Sequence, residues 1–210
     1  MGQFNLESLE RSVNVVSWVF PKTIVNYSPM KWWLCFGNLL GLIRDKGFIR
    51  DEKGEIKKGE DLDVGIRYEE ADDRLIMNGM SKFGYELKKK VINDIDKKPF
   101  YYGFTHKEYC DVCVFCFYKH GDFRYHTFDV NHENKEIPSE YVFAGVPSIC
   151  FDDVISYNWK EINREVNLPH KYGTCLDWWY PNWLEKREGC SNSPRQIRMA
   201  SCKEWSNVKD

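Results

Sequence analysis

The sequence predicts an α+β fold, a mixed β-sheet flanked by helices in a single domain spanning residues 1–210. Three observations carry this. The element order runs helix, then strands with one crossover helix among them, then helical spacing after Pro147, which suits a mixed sheet covered by helices. A length of 210 residues supports one domain with a sizeable core. The composition, 42% hydrophobic and 30% charged without repeats or low-complexity tracts, is that of a globular chain.

The elements follow in order. Residues 6–20 place Leu6, Leu9, Val13, Val16 and Val19 at helical spacing, ending before Pro21. Residues 31–43 are apolar and punctuated by glycine, a buried strand or a helix start beside a tight turn. Residues 51–60 form a charged loop, 62–66 a strand and 69–83 an amphipathic helix. Strands are expected over 85–92, 100–105, 109–118 and 123–130, the last two joined by a hairpin turn at 119–122. Residues 152–166 read as helical, and an aromatic segment follows at 177–184. The domain thus divides into an N-terminal helical segment (1–30), a core (31–130) and a helical, aromatic C-terminal segment (131–210).

Net charge is −2 at pH 7, which argues against a broad nucleic-acid footprint. The N-terminus mixes charges into its apolar residues, so neither a signal peptide nor a membrane span is expected. The protein is read as soluble and cytoplasmic, with its eight cysteines as reduced thiols. Cys110, Cys113 and Cys116 form C-x-x-C-x-x-C, but on a strand Cys113 faces away from the other two, so structural thiols are expected rather than a zinc site. The five histidines lack metal-ligand spacing; His170 adjoins Lys171-Tyr172-Gly173 and is read as a surface or capping residue. Trp178, Trp179, Tyr180 and Trp183 either pack in the core or stack on a base or sugar.

The sharpest chemical feature is Asp61-Leu62-Asp63. Residues two apart on a strand share a face, with Cα atoms roughly 6.5 Å apart. Carboxylates held so close repel, and a divalent cation removes that penalty; otherwise both lie on a solvated face. Upstream, Gly37 and Asn38 at a helix start, with Arg44 beyond, can approach a phosphate. Asp111, among apolar strand residues, needs either a metal or a buried ion pair.

Together, GNLLGLIRDKGFI (37–49), EDLDVGI (60–66), CDVCVF (110–115) and LPHKYGTCLDWWYP (168–181) resemble the LicD-type phosphotransferases within the nucleotidyltransferase fold. That family includes bacterial phosphocholine transferases and fukutin-related ribitol-phosphate transferases. Asn38 stands where the family has Ser or Thr, residues 50–59 replace its Pro-Trp-Asp, and Gly59 occupies the place of its first clustered aspartate. The resemblance implies a nucleotidyltransferase-like mixed sheet and a Mg²⁺ (or Mn²⁺) dependent transferase. Such an enzyme moves a phospho-alcohol from a CDP-linked donor to a glycan hydroxyl and releases CMP. Asp61 and Asp63 would hold the metal. Asp111 would complete the metal site or take the acceptor's proton, and Gly37, Asn38 and Arg44 would position the phosphates. The alternatives are a nucleotidyltransferase releasing pyrophosphate from an NTP, and a non-catalytic binding relative.

Overall fold

The structure, a computed structural model, describes residues 5–20, 30–49, 61–93, 95–128, 141–185, 196–199 and 202–206. The charged loop expected at 51–60, with Gly59, lies outside them, as do residues 129–130 of the strand expected at 123–130.

Helix α1 (Leu6–Val19) starts at a reciprocal cap: the Asn5 side chain accepts from the Ser8 amide, and the Ser8 hydroxyl accepts from the Asn5 amide. Its buried stripe is Leu9, Val13, Val16 and Val19, as the spacing predicts, with Ser12 and Val15 beside it. Strand β1 (Trp32–Leu34) is wholly buried and runs into helix α2 (Phe36–Leu40), which continues as a π turn at Gly41–Asp45. A left-handed Lys46 (φ 63°) ends that turn. Strand β2 (Leu62–Arg67) follows. The helix expected over 69–83 divides into a 3-10 turn (Tyr68–Glu70) and α3 (Asp73–Lys82), because Asp72 is extended and its carboxylate caps Leu75.

Strands β3 (Glu86–Asn93), β4 (Pro99–Thr105), β5 (Val112–His120) and β6 (Phe123–Phe128) lie close to their expected positions. Strand β7 (Tyr141–Pro147) precedes a separate hairpin of β8 (Val154–Trp159) and β9 (Arg164–Pro169). This hairpin corrects the helix expected over 152–166. Ile155, Tyr157 and Trp159 alternate with Val154, Ser156 and Asn158 at the period of a strand, and Asn163 takes the left-handed turn conformation (φ 51°) between the strands. Helix α4 (Tyr172–Trp179) instead runs into the start of the aromatic segment, and the C-terminal part adds strands β10 (Gln196–Met199) and β11 (Cys202–Ser206).

The fold is α+β, as the element order indicates. Nine strands form one mixed sheet along the path β10-β7-β6-β5-β4-β3-β11, with β2 parallel to β5 and antiparallel to β1. Strands β10 and β11 pair with opposite ends of that path, yet Met199 and Cys202 are only three residues apart. The path therefore curls until its ends lie within about 11 Å. The core is aromatic: Trp33 packs on Phe117 and Phe151 at centroid separations of 5.4 and 4.9 Å, and Trp159 packs on Phe48 at 4.8 Å. Trp179 is buried against Phe36, and Trp178 rests on Phe123, which takes both into packing. No helix among the described residues is long and apolar enough to cross a membrane.

Candidate active site

The site is organised by the point where β1 leaves β2. The two strands pair as far as Leu34↔Val64, and the Cys35 amide still donates to the Asp63 carbonyl. The chain then turns away through Phe36, whose φ of 44° is strained for a side chain of that size. The Asn38 carboxamide takes the next rung of the ladder. Its Nδ2 donates to the Asp61 carbonyl at 3.0 Å and its Oδ1 accepts from the Asp63 amide. A buried side-chain amide thus replaces a peptide group and clamps the backbone that bears both aspartates.

Glycines of the sequence blocks serve packing here. A Cβ at Gly41 would lie 2.7 Å from the Gly47 carbonyl and 2.8 Å from the Ile49 amide, so only glycine lets the returning chain close against the π turn. A Cβ at Gly65 would collide with the Trp33 indole, which covers β2 at that point.

Asp61 immediately precedes β2 and Asp63 lies within it, so both face one side of the sheet. Parallel pairing sets Asp63 beside Cys113 of β5. One ligand atom from each of Asp61, Asp63 and Cys113 falls within 4.8 Å of the others. The Cys113 thiol donates to Asp61 Oδ2 at 2.9 Å, and the Tyr101 hydroxyl of β4 lies 3.0 Å from the same sulfur. Burial, then the charges of Asp61 and Asp63, push the Cys113 thiol well above its ordinary value. Burial and the neighbouring Cys113 push the Tyr101 hydroxyl up as well. At the cluster's 4.8 Å limit the two carboxylates repel by about 3 kcal/mol at an effective dielectric near 20. An arrangement that concentrates negative charge on a rigid strand face is suited to a divalent cation.

The backbone carbonyl of Asp111 accepts from the Leu62 amide at 2.9 Å, which aligns Asp111 with Asp61 and puts its side chain on the same sheet face. Its carboxylate nevertheless stands outside the three-residue cluster. Asp111 accepts from the Thr105 hydroxyl at 2.8 Å and lies 3.9 Å from Lys88 Nζ. Lys88 sits in a register shift between Leu87 and Lys89, a bulge that redirects a side chain. Burial along β5 follows the expected parity: Val112, Val114 and Cys116 are buried, whereas Asp111, Cys113 and Phe115 are partly exposed.

The other residues assigned by resemblance have identifiable neighbours. Gly37 lies in the first turn of α2, and Asn38 spends both its oxygen and its nitrogen on the β2 backbone. Arg44 makes a two-pronged pair with Asp45, Nε–Oδ1 3.0 Å and Nη2–Oδ2 2.8 Å, with both side chains largely buried. His170 is exposed. Residue types alone read Cys113 as a structural thiol and give Tyr101, Thr105 and Lys88 no role at the site. The shared parity of Asp111 and Cys113 was the available signal for Cys113; the other three depend on the register of β3 and β4.

Beyond the cluster the same face is aromatic. Phe36 makes edge contacts with Phe115 and His126 at 4.8 Å each. His126 is buried; its Nδ1 lies 3.0 Å from the Thr127 carbonyl, and Nε2 has no partner among the described residues. Burial lowers its pKa to about 4, so the ring is neutral at pH 7. A hollow of about 290 Å³ lined by Asn5, Glu7, Ser8, Arg11, Glu108 and Tyr109 shares no residue with the carboxylate cluster.

No family model matches the sequence, and no curated protein matches it. Among solved structures, the chain is similar to the lincomycin-bound lincosamide antibiotic adenylyltransferase LnuA, with a TM-score of 0.45 and 11% sequence identity, over 83% of this chain and 86% of that one.

Proposed function

We propose that this protein is a metal-dependent transferase that moves a phosphate-linked group from a nucleotide donor to a hydroxyl acceptor. The observation behind this reading is the pair Asp61 and Asp63, with ligand atoms within 4.8 Å, on a strand whose backbone is clamped by Asn38. Asp61 and Asp63 would hold a divalent cation, which would supply the positive charge that a phosphoanhydride donor needs. Asp61 and Asp63 supply oxygen ligands. Asp111, held by Thr105 on the same face, accepts the proton of the attacking hydroxyl. Lys88, exposed and 3.9 Å from Asp111, offers a mobile cation to the donor's phosphates. Gly37 contributes backbone at the start of α2. Asn38 acts through the carboxylates it positions, and Arg44 acts through its pair with Asp45.

Nucleotidyl transfer, which moves NMP from an NTP and releases pyrophosphate, asks for little beyond this carboxylate pair and is the first reading. Transfer of a phospho-alcohol from a CDP-linked donor to a glycan hydroxyl, releasing CMP, is the second. It is favoured by the sequence blocks at 37–49, 60–66, 110–115 and 168–181. The test incubates the protein with NTPs and with CDP-linked alcohols, with and without Mg²⁺ or Mn²⁺, and separates the products by ion exchange. Pyrophosphate supports the first reading and CMP the second. Donor binding is followed in parallel by thermal melting. At a hundredfold excess over Kd it stabilises by about 2.7 kcal/mol, a shift of roughly 5 to 11 °C for a chain this long. If no donor of either class is consumed or shifts the melt, the transferase reading falls.

A further inference from the structure

We propose that Cys113 is a third ligand of the carboxylate site, and that its sulfur makes the site select a thiophilic divalent cation (Zn²⁺, Co²⁺ or Cd²⁺) over Mg²⁺. This rests on the reading of Asp61 and Asp63 as metal ligands and goes beyond it by naming the third donor and the class of ion.

The register carries the geometry. Parallel pairing of β2 with β5 sets Cys113 directly beside Asp63, and the acid that immediately precedes β5 on that face, Asp111, is engaged by Thr105 and Lys88 outside the cluster. The site therefore offers two oxygens and one sulfur where three oxygens would suit Mg²⁺. Sγ already lies 2.9 Å from Asp61 Oδ2, and all three donors fall within 4.8 Å of one another. Around a tetrahedral ion with metal–sulfur bonds of about 2.3 Å and metal–oxygen bonds of about 2.1 Å, donor atoms sit roughly 3.6 Å apart. Opening the present S···O contact by less than about 1 Å admits the ion, with both donors on paired strands that need not move far.

Two further features fit a ligand sulfur. The Tyr101 hydroxyl approaches Sγ at 3.0 Å from the neighbouring strand, the kind of outer hydrogen bond that orients a metal-bound group. Cys113 is also partly exposed, as Asp61 and Asp63 are, so the cluster lies at the edge of the core rather than inside it. Coordination exchanges the S–H···Oδ2 hydrogen bond for metal–sulfur and metal–oxygen bonds, and the thiol proton passes to buffer; nothing is oxidised or reduced. Mg²⁺ prefers oxygen ligands in octahedral geometry and gains little from sulfur, whereas the softer ions gain a strong bond.

The experiment titrates the full chain, kept reduced, with Co²⁺ and with Cd²⁺. It follows the thiolate-to-metal charge-transfer absorption and measures Mg²⁺ affinity by calorimetry. One equivalent of Co²⁺ or Cd²⁺ is expected to develop the band and to bind more tightly than Mg²⁺. Cys113→Ser is expected to remove the band and weaken Co²⁺ and Cd²⁺ by about 10- to 100-fold, while Mg²⁺ affinity stays unchanged. Asp61→Asn is expected to weaken every ion. A band that survives Cys113→Ser, or Mg²⁺ binding as tight as Cd²⁺ with no band, overturns the sulfur ligand and leaves the carboxylate reading standing if Mg²⁺ still needs Asp61. Failure of the wild-type protein to bind any of these ions overturns both. A measurement on the unaltered chain removes dependence on the variant's folding: under conditions alkaline and long enough for iodoacetamide to modify Cys113 of the metal-free chain, Cd²⁺, and not Mg²⁺, is expected to block that alkylation, read by peptide mass spectrometry. Equal alkylation with and without Cd²⁺ refutes the proposal.

Discussion

Asn38→Ala tests whether the clamp on β2 sets the carboxylate geometry. The substitution removes two hydrogen bonds at a buried position, one to the Asp61 carbonyl and one from the Asp63 amide. Each is worth about 1 kcal/mol net, and a buried backbone group left without a partner costs about 1 to 3 kcal/mol. Water reaching the partly exposed edge at Asp61 and Asp63 recovers part of that, so the expected loss is about 3 kcal/mol. For a chain of this size that lowers Tm by roughly 6 to 12 °C. The same change frees the backbone between the two aspartates, so divalent-ion affinity is expected to fall by about tenfold, as for an outer-shell partner. Asn38→Ser, with one hydroxyl in place of an amide, is expected to retain part of both effects. Urea denaturation with the ion absent and calorimetry with it present separate stability from positioning. A loss below about 0.5 kcal/mol, with ion affinity unchanged, would show that the amide is incidental to β2 and refute the reasoning.

Other outcomes follow from the same geometry. Asp61→Asn and Asp63→Asn are each expected to keep less than about a tenth of turnover, a barrier increase above roughly 1.4 kcal/mol, with melting temperature near that of the parent; a variant above that rate is not an essential ligand. Gly41→Ala is expected to destabilise by about 1 to 3 kcal/mol, because the new methyl meets backbone atoms of Gly47 and Ile49 that no rotamer change can move aside; an unchanged urea midpoint would contradict this. His126 has a folded pKa of about 4, below its ordinary 6.5, so the unfolded chain takes up a proton that the folded one excludes. Stability is therefore full above pH 6.5 and is lost as pH falls toward 4, by about 3 kcal/mol in all. His126→Phe is expected to abolish the slope between pH 6.5 and 5, where few carboxylates titrate, and a slope that persists in urea titrations would assign it elsewhere.

Local patterns were legible in the chain itself. The helix at α1, the strand carrying Asp63, and the opposed faces of Asp111 and Cys116 on β5 follow from periodicities of 3.6 and 2, which each segment carries without help from its neighbours. The mixed α+β class follows from the order of those segments. The segment at 152–166 shows where this stops: its apolar residues fit a helical count as well as a strand, and pairing of β8 with β9 decided between them. The neighbours of the candidate site were likewise decided by tertiary structure. Parity placed Asp111 and Cys113 on one face, but only the register of β5 against β2, and the hold of Thr105 and Lys88 on Asp111, brought sulfur rather than a third carboxylate to the aspartate pair. Asn38 and Arg44 looked equally able to meet a phosphate in the sequence. In the fold, Asn38 completes a strand ladder that β1 abandons, and Arg44 is taken by Asp45. A side chain's type and facing are local properties, whereas its partner depends on which distant backbone lacks one, and that is set only when the sheet assembles.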